Sequence, residues 1–279
     1  MQGGSMMLQD RVAIVTGGGR GLGRAMAEAL LAAGGRVVVT GARSGAELEA
    51  MAAWADATHG PDRLLALTAD VTRPADCARV VAAALERFGA LHAVINNAGR
   101  GMRLVSERFT TDPVPFWTVP PETWALIMDI NLNGAFNMAA AAMPHLLAQR
   151  DGRIVNISTS DQTMVRRGYA PYGPSKAGLE AASRCWAQDV EGTGVTVNVL
   201  LPGGAANTEL LPAGPSRRGA DGNLLDPAIM GPPAVWLTSA ESAAVNGRRF
   251  IARLWDSDLP LAEASTGARS APVAKPSIM

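Results

Sequence analysis

TGGGRGLG, residues 16–23, joins an apolar run to a stretch whose apolar residues have helical spacing. The preceding run, RVAIVTG (11–17), has the composition of a buried strand, and Met26, Leu30 and Ala33 recur at helical spacing after it. Glycines in a strand-to-helix turn let the backbone approach a pyrophosphate, and the helix N-terminus adds unpaired N–H groups and a positive partial charge. The segment therefore predicts a phosphate-binding turn rather than a merely flexible one.

The rest of the chain continues the alternation of short apolar strands and helices. Further strands are predicted at RVVVT (36–40), LLALTAD (64–70), LHAVIN (91–96), RIVNIS (153–158), VTVNVLL (195–201) and RRFIA (248–252), with helices around 46–58, 122–148 and 171–191. Strands that are apolar throughout and separated by helices indicate a parallel sheet covered on both faces. We therefore predict an α/β fold, a Rossmann-like, doubly wound parallel sheet of about seven strands with helices on both faces.

The domain organisation follows from the same pattern. No clean linker interrupts it, so we predict a single domain over residues 1–256, with residues 1–7 as a flexible N-terminal remnant. Residues 257–279 are rich in Ala, Ser and Pro, and we expect a tail that is disordered or packs on a neighbour.

Composition excludes several classes of function. The 279 residues carry 25 Lys plus Arg and 25 Asp plus Glu, and this zero net charge argues against nucleic acid as a partner. No apolar run approaches the roughly 18 residues that indicate a membrane span, and MQGGSMMLQD (1–10) has no signal-peptide pattern. We therefore expect a soluble, cytoplasmic protein that does not act at a membrane. The histidines are scattered without ligand spacing, so no metal site is predicted.

YGPSK, residues 172–176, places one of only two tyrosines four residues before a lysine. Four residues make about one helical turn, so Tyr172 and Lys176 should lie on the same face of a helix. A free tyrosine has a pKa of about 10, and a nearby cation favours the phenolate. The pair is either ordinary packing or a tyrosine acid/base whose pKa the lysine lowers.

These motifs together resemble those of the short-chain dehydrogenase/reductase family. The glycine segment has the spacing T-G-x-x-x-G-x-G, and NNAG (96–99), Asn131 in DINLNGAF, the Tyr172-x-x-x-Lys176 pair and PGG (202–204) follow in the family's order. The resemblance covers roughly residues 8–252. It implies hydride transfer between a nicotinamide cofactor and a ketone, aldehyde or secondary alcohol.

The second strand indicates which cofactor is used. NAD usually requires an acidic residue at the end of this strand, and Gly41 occupies that place. Arg43 follows it and Arg20 lies in the glycine segment, as basic residues do in similar family members that prefer NADP. Arginine can hold a 2′-phosphate bidentately, so we favour NADP(H) over NAD(H), although both side chains could instead be solvated surface groups.

The resemblance also implies a set of site residues. Asp70, with Val71 beside it, would contact the adenine, and Thr208, with Asn207 as the alternative, would contact the carboxamide. The implied cofactor-binding set is Gly17, Gly19, Arg20, Gly21, Leu22, Gly23, Arg43, Asp70, Val71, Asn97, Ala98, Gly99, Tyr172, Lys176, Pro202, Gly203 and Thr208.

Catalytic roles are likewise implied by the resemblance. Tyr172 would be the general acid/base, Lys176 would assist it and hold the nicotinamide ribose, and Asn131 would sustain a water-linked proton path. The family usually has a serine where this chain has Thr159, so we assign the substrate-binding hydroxyl to Thr159. A shift of one residue would give the role to Ser160, and Ser158 is also adjacent.

The sequence indicates the substrate class and the oligomeric state in less detail. The long loop 100–121 contains Met102, Leu104, Phe109, Phe116 and Trp117, and with a lid over 209–230 these apolar side chains suggest a hydrophobic or aromatic substrate. By resemblance we expect a homotetramer or homodimer formed through the helices at 122–148 and 171–191. The alternative function is that of a non-catalytic NADP(H)-binding regulator on the same fold.

Overall fold

The computed structural model describes residues 6–43, 45–214, 217–219 and 222–271. Its strands are β1 (Val12–Thr16), β2 (Arg36–Gly41), β3 (Leu64–Thr68), β4 (Ala93–Asn96), β5 (Gly152–Ile157), β6 (Val195–Leu201) and β7 (Arg249–Ile251). They form one seven-stranded sheet in the order β3-β2-β1-β4-β5-β6-β7, and each neighbouring pair is parallel. The predicted Rossmann-like sheet is confirmed.

Helices cover both faces of the sheet. They are α1 (Gly21–Ala32), α2 (Gly45–His59), α3 (Pro74–Phe88), α4 (Pro121–Met128), α5 (Gly134–Gln149), α6 (Asp161–Met164), α7 (Tyr172–Asp189), α8 (Gly231–Thr238) and α9 (Leu261–Ala268). The predicted helix at 122–148 is divided, because a π-helical turn at Asp129–Asn133 separates α4 from α5. No helix in the described ranges has the length and apolar character needed to cross a membrane.

Alternating side chains of the strands build a core on each side of the sheet. Val15 of β1 packs in a cluster with residues of α1, α2 and α8, whereas its neighbour Ile14 packs with residues of α3, α5 and α7. Both side chains are fully buried. Fully burying one such side chain contributes about 1.5–3 kcal/mol, so these two layers account for the apolar strands in the sequence.

The strand order reverses between β1 and β4, and this reversal locates the site. β1 pairs with β2 on one side and with β4 on the other, and Val15 is in register with both Val39 and Ile95. The connections leaving the carboxyl ends of β1 and β4 therefore diverge to opposite sides. In open α/β sheets such a divergence opens a ligand-binding crevice.

The C-terminal segment differs from the predicted tail in its described part. Residues 261–268 form α9, whose Ala264, Ser265 and Ala268 are buried. These small residues lie about one helical turn apart, so the helix can approach its own chain closely. The main-chain N–H of Ser270 then donates to the carbonyl of Arg249 at 2.8 Å. Residues 1–5 and 272–279, which belong to the predicted remnant and tail, lie outside the described ranges.

The close contact between α6 and α7 provides a test of how the fold holds Tyr172. A Cβ added to Gly173 would lie 2.2 Å from the carbonyl oxygen of Met164. We expect Gly173→Ala to lower the free energy of unfolding by about 1–3 kcal/mol, because a main-chain atom must move. Urea denaturation measures this change.

Gly178→Ala in the same helix is the matched control. A Cβ there would approach only the flexible end of Leu132, at 3.2 Å. Alanine is favoured over glycine inside a helix by about 1 kcal/mol, so this variant should be neutral or more stable. Equal stability of the two variants would show that the contact at Gly173 does not constrain the helix.

Candidate active site

A cleft of about 1150 Å³ lies at the carboxyl ends of the strands. It brings together nearly all of the residues that the sequence predicted for the cofactor and the chemistry. Those lining it are Gly17, Gly19, Arg20, Gly21, Leu22, Arg43, Asp70, Val71, Asn97, Ala98, Gly99, Thr159, Tyr172, Lys176, Pro202, Gly203 and Thr208. Gly23 and Asn131 do not line it, since both are buried behind its wall.

The glycine turn forms the floor of the cleft at the start of α1. Gly17 and Gly21 have φ of +65° and +55°, which side chains with a Cβ rarely adopt. A Cβ on Gly23 would lie 2.2 Å from the carbonyl oxygen of Gly17, so Gly23 permits the close packing of turn and helix. The first turn of α1 holds no acidic residue and no side chain caps it. Its N–H groups therefore face the cleft as an anion site, which fits a dinucleotide pyrophosphate.

Hydrogen bonds fix this turn to the end of β4. The side-chain amide of Asn97 donates to the carbonyls of Thr16 and Gly17 at 2.8 and 3.1 Å. The main-chain N–H groups of Asn97 and Ala98 both donate to the Thr16 hydroxyl at 3.0 Å. The side chain of Asn97 is thus used within the protein, and it holds the shape of the cradle.

Arginines gather at the end of β2. Arg20 pairs with Glu47 at 3.0 Å and with Glu209 at 2.6 Å, whereas Arg43 has no ion pair with any described residue. Arg100, a residue that the sequence analysis did not single out, lines the same cleft. Burial and the positive charges of Arg20 and Arg43 lower the pKa of Arg100. This end of the cleft is therefore rich in positive charge, partly countered by Glu47.

Asp70 at the far end of the cleft is already engaged within the protein. Its carboxylate accepts hydrogen bonds from the main-chain N–H and the hydroxyl of Thr72, at 3.0 and 2.8 Å. The carboxylate of Asp76 accepts from the main-chain N–H of Asp70 at 2.8 Å. These contacts hold the segment that follows β3 against the cleft.

Tyr172 and Lys176 lie on the first turns of α7, as their spacing predicts. Lys176 is buried and donates from Nζ to the carbonyl of Ile157 at 2.7 Å. Burial lowers the pKa of Lys176 to about 8, and the negative charge of Glu180 opposes this shift. Burial also raises the pKa of Tyr172 to about 12, against a hydrogen bond with Thr159 that lowers it. Desolvation therefore outweighs the favourable contacts at Tyr172. Of the two alternatives for the pair, the structure does not indicate a tyrosine pKa lowered by the lysine.

The structure also distinguishes the neighbouring hydroxyls. Thr159 is the one whose side chain interacts with Tyr172, and this interaction lowers the pKa of the tyrosine. Ser160 caps α6 instead: its Oγ accepts from the main-chain N–H of Thr163 at 3.3 Å. Ser158 is buried, and its hydroxyl has no hydrogen-bond partner among the described residues. The geometry thus brings Thr159, rather than Ser160, to the tyrosine.

Asn131 supports the site from behind. Its amide donates to the carbonyl of Arg100 and to the hydroxyl of Ser175, both at 2.9 Å, and its Oδ1 accepts from the N–H of Arg100 at 2.8 Å. Ser175 in turn donates to the carbonyl of Tyr172 at 2.7 Å. Asn131 therefore links the segment after β4 to the start of α7, while its role in a proton path stays a prediction.

The apolar side of the cleft differs from the prediction in two residues. Met102, Leu104 and Phe109 line it as expected. Phe116 and Trp117 do not line it, since their side chains are 68% and 74% exposed. Their rings pack edge to face, with centroids 5.3 Å apart. Their 3₁₀ turn at Phe116–Thr118 lies between prolines and faces outward.

The segment after β6 closes the opposite wall. Gly203 adopts φ +90°, and Thr208 lies against the glycine turn, where a Cβ on Gly21 would be 3.3 Å from its Cγ2. Asn207 also lines the cleft, so the assignment of the carboxamide contact to Thr208 stays a prediction. Of the predicted lid over 209–230, residues 215–216 and 220–221 lie outside the described ranges.

The sequence analysis missed several charged residues of the site, among them Glu47, Arg100 and Arg249. Glu47 and Arg100 have no motif of their own and are brought to the cleft by the tertiary fold. Arg249 lies in the last strand and donates to the main-chain carbonyl of Thr159 at 2.9 Å. An arginine in an otherwise buried parallel strand is the signal that could have identified it. Within the described residues, no cluster of His, Cys, Asp and Glu is arranged to hold a metal ion.

Comparison with known proteins finds one matching family model and several similar proteins. The sequence model of the short chain dehydrogenases matches residues 11–217. The 3-oxoacyl-[acyl-carrier-protein] reductase FabG of Vibrio cholerae serotype O1 is 32% identical over 250 residues, which cover 87% of this chain and 95% of the relative.

Other similar proteins act on different compounds. The 1,6-dihydroxycyclohexa-2,4-diene-1-carboxylate dehydrogenase of Pseudomonas putida is 35% identical over 196 residues, covering 70% of this chain and 67% of the relative. A solved structure described as a short-chain alcohol dehydrogenase from Sinorhizobium meliloti 1021 has a TM-score of 0.74 and 31% identity, covering 88% of this chain and 96% of that one.

Burial of Lys176 predicts a pH-dependent stability. Its pKa falls from 10.5 to about 8 on folding, so between these values the unfolded state binds more protons than the folded state. Stability relative to Lys176→Met should therefore rise with pH across this interval, by roughly 1–3 kcal/mol. Urea denaturation of both proteins at a series of pH values measures the difference. Tyr172 is present in both proteins, so its contribution to the pH dependence cancels in the comparison. Parallel stability profiles would show that burial does not lower the pKa of Lys176.

Proposed function

The chain belongs to the short-chain dehydrogenase family, and we propose that it is an NADP(H)-dependent oxidoreductase that interconverts a ketone or aldehyde and a secondary alcohol. The family acts on CH–OH and C=O groups, and this chain retains what that chemistry requires. The observation that carries the proposal is the meeting of Tyr172, Lys176 and Thr159 with the glycine turn in one cleft.

In the proposed reaction, Tyr172 transfers the proton and Thr159 orients the substrate. When bound, the nicotinamide supplies or accepts the hydride at the substrate carbon. Thr159 and Tyr172 line the same cleft, so a substrate oxygen held by both groups would lie within reach of the phenol proton. Lys176, fixed by the carbonyl of Ile157, would hold ribose hydroxyls of the cofactor and supply positive charge near Tyr172.

The protonation state of Tyr172 affects reduction and oxidation differently. A pKa of about 12 keeps the phenol protonated at neutral pH. A protonated phenol can donate to a carbonyl oxygen, whereas oxidation of an alcohol needs the phenolate. We therefore propose that oxidation of an alcohol by this chain becomes faster as the pH rises, whereas reduction of a carbonyl can proceed at neutral pH.

The charges at the end of β2 support NADP(H). Gly41 carries no carboxylate for a ribose 2′-hydroxyl, and Arg43 is free of described ion pairs. The pairs of Arg20 with Glu47 and Glu209 are exposed, and such pairs contribute only about 0.2–1 kcal/mol. A 2′-phosphate could displace them and recruit Arg20. Glu47 is the residue that opposes this, since its carboxylate would repel a phosphate.

The substrate proposal rests on the cleft and the relatives. Met102, Leu104 and Phe109 give the cleft an apolar wall, and the aromatic rings of Phe109 and Tyr169 pack edge to face at 5.5 Å. Two of the similar proteins act on a 3-oxoacyl thioester and on a cyclic dihydroxy acid. We propose a hydrophobic or aromatic carbonyl compound as the substrate of this chain.

We also propose a homodimer or homotetramer. Trp124, Phe136 and Leu147 on α4 and α5 are 38%, 54% and 41% exposed. An apolar face on these helices fits the subunit contact that the family resemblance implies. Light scattering coupled to size-exclusion chromatography measures the mass, and a monomer would reject the proposal.

Tyr172→Phe tests the chemistry directly. It removes the proton donor while keeping the ring, so we expect turnover of a ketone panel to fall by about 10²–10⁴-fold. NADPH affinity, measured by fluorescence titration, should change by less than about twofold, because the phenyl ring still fills its place. Tyr169→Phe is the matched control, since it removes the other phenol and should alter KM rather than kcat. Unchanged turnover in Tyr172→Phe, or a wild-type protein that binds NADPH but reduces no ketone, would favour the non-catalytic regulator.

Arg43→Ala tests the choice of cofactor. Loss of a charge-assisted hydrogen bond should weaken NADPH binding about tenfold and leave NADH binding unchanged. Titration of the protein with each cofactor measures both affinities. Glu47→Gln provides the opposite change, because it removes a repulsive charge, and it should tighten NADPH binding. Equal wild-type affinity for both cofactors would reject the proposed preference.

A further inference from the structure

Arg249, the first residue of β7, lines the cleft, and its guanidinium lies next to the residues of the proposed reaction. Its side chain is 19% exposed. Nε donates to both carboxylate oxygens of Glu180 at 3.0 and 3.1 Å, and Nη1 donates to the hydroxyl of Ser270 at 3.2 Å. Nη2 donates to the carboxylate of Asp161 at 2.6 Å and to the main-chain carbonyl of Thr159 at 2.9 Å. One side chain thus joins β7 to three other segments of the chain.

The partners of Arg249 lie on both sides of the catalytic pair. Glu180 follows Lys176 by one turn of α7, and its charge raises the pKa of that lysine. Thr159 stands between β5 and α6 and lines the same cleft as Tyr172, whose pKa its side chain lowers. Arg249 therefore ties the helix that carries Tyr172 and Lys176 to the backbone that carries the Thr159 hydroxyl.

An ion pair that served only to stabilise the fold would not require all of these hydrogen bonds from Arg249. Glu180, 21% exposed, already matches the charge of Arg249. The bonds from Nη2 add a carbonyl and an 82% exposed carboxylate, both in the segment 159–161. Because an exposed ion pair contributes little stability, the geometric effect of this fork on the segment is its main consequence.

We propose that Arg249 is a positioning residue for the reaction: by holding the main-chain carbonyl of Thr159, it fixes the Thr159 hydroxyl against Tyr172. This rests on the proposed function for its catalytic meaning, but the geometric part stands without it. The guanidinium fork is required, since a lysine ammonium cannot reach the carboxylates and the carbonyl together.

The first arm of the test is spectroscopic and needs neither cofactor nor substrate. The chain has two tyrosines, so labelling tyrosine with ¹³C at Cζ gives two signals, and Tyr169→Phe assigns them. Thr159→Val removes the hydroxyl that interacts with Tyr172 and defines the resulting displacement of the Tyr172 signal. Arg249→Leu and Arg249→Lys should displace the Tyr172 signal in the same direction.

The second arm is kinetic. On any ketone that the wild type reduces, Arg249→Leu should lower kcat by about 10–100-fold, since small misplacements of reacting groups have effects of this size. Affinity for NADPH should stay within about twofold, because Arg249 lies away from the glycine turn. Arg249→Lys should recover part of kcat. Arg248→Leu is the matched control, since Arg248 is the exposed neighbour in sequence and should leave both arms unchanged.

The outcomes separate this proposal from the proposed function. If Thr159→Val displaces the Tyr172 signal and both Arg249 variants leave it in the wild-type position, the positioning role is overturned. A wild type that fails to bind NADPH or to reduce any ketone overturns the proposed function, while the spectroscopic arm still decides the geometry. Should Arg249→Leu fail to fold because Glu180 is left unpaired, Arg249→Lys carries the test.

Discussion

The Thr16 hydroxyl holds together the two strand ends on which the site is built. It accepts the N–H groups of Asn97 and Ala98, and it also donates to the carbonyl of Ile95 at 3.4 Å. These bonds bridge β1 and β4, the strands between which the chain reverses its winding. The glycine turn leaves β1 and the wall of the cleft leaves β4. This buried hydroxyl therefore helps to fix their separation, together with the ladder between the strands and the bonds from the Asn97 side chain. The parallel register then carries the same alignment to β5, where Asn96 pairs with Asn156.

The two side chains that would perform the proposed proton transfer are buried, although burial disfavours their charged forms. Lys176 and Tyr172 have pKa values displaced by burial toward the neutral forms, to about 8 and about 12. Buried groups displaced in this way reduce stability over part of the pH range, so the surrounding fold must compensate. It does so with a contact to the carbonyl of Ile157 and with the network that runs through Glu180 and Arg249. Displaced pKa values in a cleft are typical of functional sites, which is consistent with the family assignment.

The sequence predicted the features that depend on local pattern. Apolar strands, helical spacing and the Tyr172–Lys176 interval are set by neighbours within a few residues, so they were recovered with small errors at the ends. Features set by distant contacts were not. The pairing of Arg20 with Glu209 joins residues 189 apart, and the bond from Arg249 to Thr159 spans 90. The outward turn of Phe116 and Trp117 and the helix at 261–268 likewise depend on packing that periodicity does not reveal. The spacing of Tyr172 and Lys176 leaves the pKa of the tyrosine open, because the burial that raises this pKa cannot be measured from spacing.

The threonine in the usual serine position gives the Arg249 network a physical rationale. Threonine is β-branched and its χ1 angle is restricted, so the direction of its hydroxyl follows the backbone closely. A serine could turn its hydroxyl toward Tyr172 after a small backbone displacement, but Thr159 has less freedom to do so. The placement of this hydroxyl therefore depends on where the main chain at residue 159 is held. Arg249 grips that main chain at the carbonyl of the same residue, and the neighbouring Ser160 fixes the segment from the other side by capping α6. The restricted rotation of the Thr159 side chain and the hydrogen bond from Arg249 to its main chain therefore act together to place the Thr159 hydroxyl.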